Sequence, residues 1–223
     1  MLDLIINSKG ITAESLRTRL EASGHQVHTL ELPSQCDDLR TIKAHFEQLA
    51  ETGECYNNIY LNVTDSFSEM DDFNQDPKTA IHLVQGRLKE ILKTLKYGSQ
   101  HLARAEGGRI FVLCYDHSMN INIDVASNPI TNNAITAAVQ SLAKEVARFG
   151  VAINLFLIHP PKESLPPKLW RDAKHDLKVY SMKYKPVLAE AQSEIMQMYS
   201  EVSNLATSGG VIPVGTGIAV CNI

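Results

Sequence analysis

The sequence predicts an α/β fold in which a mostly parallel, doubly wound sheet carries helices on both faces. Two observations lead to this prediction: short apolar runs of strand length, and segments between them whose apolar residues recur at helical spacing. A helical crossover between successive strands is the connection that parallel strands need. The composition, with 44% hydrophobic and 21% charged residues, is that of an ordinary globular protein. The sequence contains no internal repeat or low-complexity tract, and we expect a single domain over residues 1–223.

The first half of the chain supplies three predicted strands, at residues 2–6, 26–32 and 58–63. A helix over 11–22 separates the first two strands, and Gly24 ends it. A second helix begins at Asp37 and Asp38, because acidic residues favour the first turn of a helix. Pro77 begins a third, long helix over 77–97.

The second half continues the alternation with predicted strands at residues 109–114, 151–158 and around 211–214. A helix over 132–149 lies between the first two of these strands, and two or three helical pieces lie between about 166 and 206. Each strand is therefore reached through a helical segment, which favours a parallel sheet with both faces covered.

Charge and cysteine content limit the classes of partner. The net charge of −4 and the pI of about 6.1 give no reason to expect a nucleic acid or an anionic membrane. Four cysteines, Cys36, Cys55, Cys114 and Cys221, show no CxxC spacing, so we expect neither a metal site nor a disulfide framework. The first residues lack the basic start of a signal peptide, and no apolar run reaches membrane-spanning length. We expect a cytoplasmic protein.

Four segments match, in order, the motifs of one enzyme family. Residues 141–154 read SLAKEVARFGVAIN and are similar to SLAKELAPYGIRVN. GRIFV at 108–112, IYLN at 59–62 and GGVIPV at 209–214 resemble GRIVN, ILVN and GQVIPVDGG. These are motifs of the short-chain dehydrogenase/reductases, especially the ketoacyl-carrier-protein reductases. The resemblance covers nearly the whole chain and implies a Rossmann-like sheet.

The resemblance also implies where catalytic residues would lie, and this chain departs from the family there. The family transfers a proton with a Tyr-x-x-x-Lys pair, in which the lysine lowers a tyrosine pKa that is otherwise near 10. Counting back from Ser141 places the lysine position at Asn132 and the tyrosine position at Asn128. The family's serine falls near Tyr115, and its helix asparagine falls near Pro77. We therefore expect no catalytic residue at Tyr115, Asn128 or Asn132.

The cofactor motif is also altered. The family's TGxxxGxG turn lets the backbone approach a pyrophosphate at a helix N-terminus, whereas residues 6–12 read INSKGIT and clearly retain only Gly10. One strand stands before the Asp37 helix where the family has two strands and a helix, so we expect a sheet shortened by one strand–helix unit. We expect no bound cofactor, neither NAD nor NADP. The remaining candidates for lining a crevice are Ser8, Lys9, Gly10 and Asn62.

Other polar clusters receive structural interpretations. Tyr115, Asp116, His117 and Ser118 follow one another along a strand end, where neighbours point to opposite faces and cannot form a triad among themselves. The group of Tyr180, Lys183, Tyr184 and Lys185 is interpreted as part of a solvated amphipathic helix. The run His159-Pro160-Pro161 is interpreted as a rigid turn. By the resemblance, residues of about 160–206 form a helical substrate lobe.

Helices 77–97 and 132–149 carry more apolar residues than one sheet face needs. The surplus comprises Ile81, Val84, Leu88 and Leu92 on the first helix and Ile135, Val139 and Leu142 on the second. In the family these helices pair with their symmetry mates. We expect a homodimer or homotetramer through them, or a heteromer with an active paralogue.

The leading hypothesis is a catalytically inactive member of this family that acts as a structural or regulatory subunit. It would partner an active ketoreductase in a fatty-acid or polyketide-type pathway. One alternative is an atypical NAD(P)-dependent oxidoreductase that uses Tyr115, His117 or Tyr180. A second alternative is a sensor of small molecules or acyl chains.

Overall fold

The computed structural model describes residues 1–32, 40–64, 68–116, 128–164, 166–168, 171 and 187–215. Six strands form one sheet in the order β2-β1-β3-β4-β5-β6, and every neighbouring pair is parallel. The strands are β1 (Leu2–Ile6), β2 (Gln26–Leu30), β3 (Asn58–Asn62), β4 (Gly108–Tyr115), β5 (Val151–Ile158) and β6 (Val211–Val214). This sheet confirms the predicted parallel, doubly wound architecture.

Helices cover both faces of the sheet. They are α1 (Ile11–Ala22), α2 (Arg40–Thr52), α3 (Glu69–Gln75), α4 (Pro77–Arg104), α5 (Pro129–Val146) and α6 (Ala189–Val202). One apolar core lies under α2, α4 and α5, and the other lies under α1 and α6. None of the described helices combines the length and apolar composition that crossing a bilayer requires.

The boundaries of two helices, α4 and α5, differ from the prediction. The start expected at Asp37 lies outside the described residues, and α2 is described from Arg40. Helix α4 continues past residue 97 to Arg104, and at Gly98 it lies close to β3: a Cβ on Gly98 would lie 3.3 Å from Ile59 Cδ1. Helix α5 begins earlier than residue 132, at Pro129, and ends at Val146, where a 3-10 turn, Ala147–Phe149, follows it.

Strand β2 is the edge of the sheet. One strand lies outside β1 here, whereas the order 3-2-1-4-5-6 of dinucleotide-binding sheets places two strands there. Within the described residues, β2 is the single strand between α1 and α2. The sheet is therefore shortened by one strand–helix unit, as the sequence predicted.

The segment expected to form a substrate lobe is described only in part. Its later portion contains α6, which packs against α1 as a covering helix of the sheet. Residues 165, 169–170 and 172–186 lie outside the described residues. The lobe therefore stays a prediction.

The apolar surplus predicted for the two long helices is smaller than expected. Ile135 and Val139 are buried in the core that faces the sheet, and Val84 is also buried, so these three do not contribute outer surface. The outward apolar residues of α4 include Ile81 and Leu92, which are 46% and 45% exposed. Helix α4 therefore divides its apolar residues between a buried side and an exposed side.

A buried carboxylate fixes the start of α5. Glu69, the first residue of α3, is fully buried, and its two oxygens accept hydrogen bonds from the backbone N–H groups of Ile130 and Thr131, both at 2.8 Å. The side-chain oxygen of Asn128 accepts in return from the Glu69 N–H at 3.1 Å. A negative charge at this helix end is favourable because the unpaired N–H groups there carry partial positive charge. The contact joins α3 and α5 across 61 residues of chain.

We expect Glu69→Gln to lower the free energy of unfolding by about 1.5–3 kcal/mol, because two N–H groups at the start of α5 lose their charged acceptor. Urea denaturation measures this change. Asp71→Asn serves as the control, since Asp71 is exposed on the same helix and loses the same charge; its effect should stay within about 0.5 kcal/mol. Equal effects for the two variants would contradict the capping role of Glu69.

Candidate functional site

The candidate site lies at the carboxyl ends of β1, β3 and β4. In open α/β sheets, ligands bind outside the carboxyl ends of the strands where the strand order reverses. The chain runs outward from β1 to β2 on one side and then crosses to β3 on the other, so the reversal falls between β1 and β3. We call this place the switch-point crevice; its borders are the turn of residues 7–10, Thr12, Asn62, Thr64 and Tyr115.

The turn between β1 and α1 is held from within the protein. Asn7 adopts a left-handed conformation with φ of 60°, and Gly10 precedes α1 with φ of 100°. The Asn62 side-chain amide donates to the carbonyl oxygens of Asn7 and Lys9, at 2.9 and 3.1 Å. Its oxygen accepts from the backbone and hydroxyl of Thr64. Asn62, a candidate for lining the crevice, therefore uses its polar atoms to fix the turn.

An acidic side chain covers the donors of this turn. Glu31, which follows β2, accepts hydrogen bonds from the backbone N–H of Ser8 at 2.7 Å and from the Ser8 hydroxyl. The ammonium of Lys9 lies 4.0 Å from the second Glu31 oxygen. In a dinucleotide site such donors face the pyrophosphate. Here a carboxylate takes them, and its charge opposes the approach of another anion.

The phenol of Tyr115 crosses the crevice. Tyr115 ends β4, yet its hydroxyl lies 3.3 Å from the hydroxyl of Thr12 in the first turn of α1, beyond the end of the intervening β3. Burial raises the pKa of Tyr115, and hydrogen bonds to Thr12 and Thr64 only partly offset this effect. A proton-transferring tyrosine requires the opposite shift, so this phenol is held neutral.

The two asparagines at the family's tyrosine and lysine positions bind backbone. Asn132 is buried, and its side-chain amide donates to the carbonyl oxygen of Tyr115 at 2.5 Å. Asn128 accepts from the Glu69 N–H, as described for the start of α5. Pro77, at the looser fourth position, is the first residue of α4, where Asp76 caps the helix. Each of these positions contributes to helix or strand ends.

The structure also brings together a pair that the sequence analysis kept apart. His159 Nε2 lies 3.6 Å from Asp116 Oδ2, because the two residues follow the paired ends of the neighbouring strands β5 and β4. His159 is buried, and its carbonyl accepts from the Gln192 side chain at 2.8 Å. Each residue directly follows one of two adjacent parallel strands, and this placement in the sequence could have predicted that the two lie close together. The structure does not describe residues 117, 118, 180 and 183–185. Within the part of the chain that it does describe, no three His, Cys, Asp or Glu side chains lie close enough together to hold a metal ion.

The sequence analysis missed the roles of Glu31 at the crevice and of Glu69 at the start of α5. Glu31 follows the second strand, the place where dinucleotide-binding folds carry an acid about 20 residues after their glycine turn, so a signal for it existed. Glu69 gave no signal, because its partners lie on a helix that is distant in sequence.

The chain is similar to solved structures over nearly its whole length, while no family model and no curated protein sequence matches it. The protein lin1944 of Listeria innocua is 20% identical with a TM-score of 0.66, over 96% of this chain and 99% of that one. A short-chain type dehydrogenase/reductase of Mycobacterium ulcerans is 14% identical with a TM-score of 0.71, over 96% and 87%. The enoyl-[acyl-carrier-protein] reductase (NADH) of Aquifex aeolicus is 16% identical with a TM-score of 0.69, over 100% and 98%. The chain therefore has the fold of the short-chain dehydrogenase/reductases, as its four motifs predicted.

Proposed function

We propose that this protein is a catalytically inactive relative of the short-chain dehydrogenase/reductases that acts as a structural or regulatory subunit. The observation that carries the proposal is Tyr115, whose hydroxyl reaches Thr12 across the switch-point crevice. A nicotinamide that entered this crevice would have to displace a largely buried aromatic ring. Such a displacement breaks the contact with α1 and exposes the ring to water.

Electrostatics at the turn support the same proposal. Glu31 holds the Ser8 N–H and hydroxyl and lies near the Lys9 ammonium. A pyrophosphate would compete with this carboxylate for the same donors and would be repelled by its charge. Cofactor binding is therefore opposed at both ends of the crevice, by an acid at the phosphate turn and by a phenol at the reaction end.

The groups that remain cannot replace the family's proton relay at its own position. Reduction of a carbonyl needs an acid to protonate the developing alkoxide. The amides of Asn128 and Asn132 do not donate a proton at neutral pH, and both already serve as hydrogen-bond partners of Glu69 and Tyr115. The chain thus keeps the fold but lacks the acid in the place where the family has it.

The subunit role would operate through α4 and α5. Ile81 and Leu92 expose apolar surface on α4, and Ile130 does so at the start of α5. Apolar side chains on adjacent helices suit burial against another subunit. The partner is a second copy or an active ketoreductase-like paralogue, in the cytoplasm and in a fatty-acid or polyketide-type pathway.

A second candidate function is NAD-dependent oxidoreduction at a non-standard site. Glu31 favours it, because an acid after the second strand can hydrogen-bond the adenosine ribose in dinucleotide-binding folds. In that case Glu31 would release Ser8 when the cofactor binds. The partly exposed Asp116 and the buried His159 would then be the pair that transfers the proton.

Titration with NADH and NADPH, followed by cofactor fluorescence, separates the two functions. We expect no saturable binding of either cofactor up to about 1 mM. A dissociation constant of that size would correspond to a binding free energy of only about 4 kcal/mol. The double variant Glu31→Gln/Tyr115→Ala removes the acid and the ring, and we expect it to bind more strongly than the wild type. Saturable binding by the wild type, with reduction of a β-ketoacyl thioester above background, would support oxidoreduction and contradict inactivity.

Light scattering after size exclusion tests the interface on α4. We expect a dimer or tetramer for the wild type and dissociation of Leu92→Glu, since burying an unpaired carboxylate costs several kcal/mol, or a more than 100-fold weaker association. Leu83→Glu is the matched control, because Leu83 is equally exposed on α4 but lies about 200° around the helix from Ile81. A wild type that is monomeric would exclude the homo-oligomer. Only the heteromer would then remain, and it predicts co-purification with a paralogue from the native host.

A further inference from the structure

Three histidines from three different elements converge beside Tyr56, which precedes β3. His28 lies on β2, and its Nδ1 is 3.0 Å from the Tyr56 hydroxyl. His101 lies on α4, with its ring centroid 5.7 Å from that of Tyr56. The α2 residues Phe46 and His45 complete the group, since the Phe46 ring is 5.7 Å from His101 and 5.9 Å from His45. We call His28, His45 and His101 the histidine cluster.

Two of these imidazoles have a buried nitrogen without a partner. Nε2 of His45 and Nε2 of His101 are inaccessible to solvent and make no hydrogen bond among the described residues. A neutral imidazole tolerates this arrangement better than an imidazolium, whose two N–H groups both need acceptors. Burial accordingly lowers the pKa of His45 and of His101; His28 adds to the first effect, and Arg104 and His45 add to the second.

The charged groups around the histidine cluster would do little to neutralise the positive charge of a protonated histidine. On the β2 side, Glu54 lies 3.9 Å from His28. On α2, the carboxylate of Glu47 is already paired with Lys43 at 3.2 Å. On α4, Arg104 adds a positive charge near His101. Tyr56 stays neutral, because burial and then Glu54 raise its pKa to about 12.

The cluster lies where the sheet lacks a strand–helix unit. Helix α2 packs against α4, and its Ile42, Phe46 and Leu49 are buried in the core that the two helices share. A cleft of about 540 Å³ remains between β2 and α2. It is lined in part by His28, Thr29, His45, Gln48, Glu54 and Tyr56. Solvent therefore already reaches the border of the contact that holds α2.

We propose that the histidine cluster is a pH-sensitive clamp that holds α2 against α4 at neutral pH and releases it on acidification. Protonation of His45 and His101 places positive charges beside His28 and Arg104, where the nearby carboxylates of Glu54 and Glu47 already lie next to His28 and Lys43. Helix α2 moves away because the released imidazoles gain water as hydrogen-bond partner. The clamp lies away from the switch-point crevice and does not depend on what that crevice binds.

The direction of the two pKa shifts determines how the stability of the clamp depends on pH. The pKa of both histidines is below 6.5 in the clamped state and returns toward 6.5 when α2 is released. Between these values the released state binds more protons. The clamp is therefore fully stable above pH 6.5 and weakens as pH falls below it. Each histidine changes the released fraction by up to about tenfold per pH unit, and the two together by up to about 100-fold.

Hydrogen exchange read by mass spectrometry tests the clamp in the full chain. Protection factors of the α2 amides, corrected for the intrinsic rate, are measured between pH 7.5 and 5.5. We expect them to fall by about 10- to 100-fold below pH 6.5, while those of α1 and α5 change little. Unchanged protection of α2, or an equal loss in all three helices, would overturn the clamp.

Variants identify the titrating groups. His101→Phe keeps a ring between Phe46 and Tyr56, and His45→Gln replaces a half-exposed side chain without removing the core of α2. We expect either variant to reduce the pH dependence of α2 protection by up to about tenfold per pH unit. His82→Gln, at an exposed position of α4, should leave it as in the wild type. The clamp is wrong if both cluster variants retain the full pH dependence, or if His82→Gln reduces it as much as they do.

Discussion

Stacking of three aromatic rings across the middle of the sheet is the interaction on which the site depends. Tyr60, Phe111 and Phe156 lie on β3, β4 and β5, and neighbouring ring centroids are 5.3 Å apart under α1 and α6. A slip of one residue would turn each ring to the opposite face, so the stack fixes the register. Asn62 follows Tyr60 by two residues and Tyr115 follows Phe111 by four. Both side chains therefore point toward α1, where they bound the crevice.

Most of the fold could be predicted from local sequence patterns, because short stretches of sequence determine which strands are buried and where helices are capped. The bounds of β1, α1 and β5 agree with the predicted ranges. The prediction ended α4 near residue 97, directly before Gly98. In the structure the same glycine is what allows α4 to lie close to Ile59 on β3, a tertiary contact that no local pattern contains.

The site was predictable in position but not in partners. Counting along the family's motifs located Asn128 and Asn132 at the starting turn of α5. Their partners, Glu69 and the Tyr115 carbonyl, come from other segments. Glu31 likewise meets Ser8 through the pairing of β1 with β2. Such contacts depend on strand register and on where the helices pack. A single sequence therefore identifies the residue but does not identify the residue that it contacts.

Hydrogen-bond satisfaction distinguishes this crevice from a catalytic one. Active sites keep donors and acceptors oriented toward a ligand and accept the cost of leaving them unpaired in its absence. Around the crevice, the polar groups of Asn62, Glu31 and Tyr115 bind the turn after β1 and the first turn of α1 instead. The unpaired polar atoms of His45 and His101 lie at the edge, beneath α2. Because unpaired buried groups mark where a fold can gain by opening, the edge at α2 is better suited to a conformational response than the closed crevice.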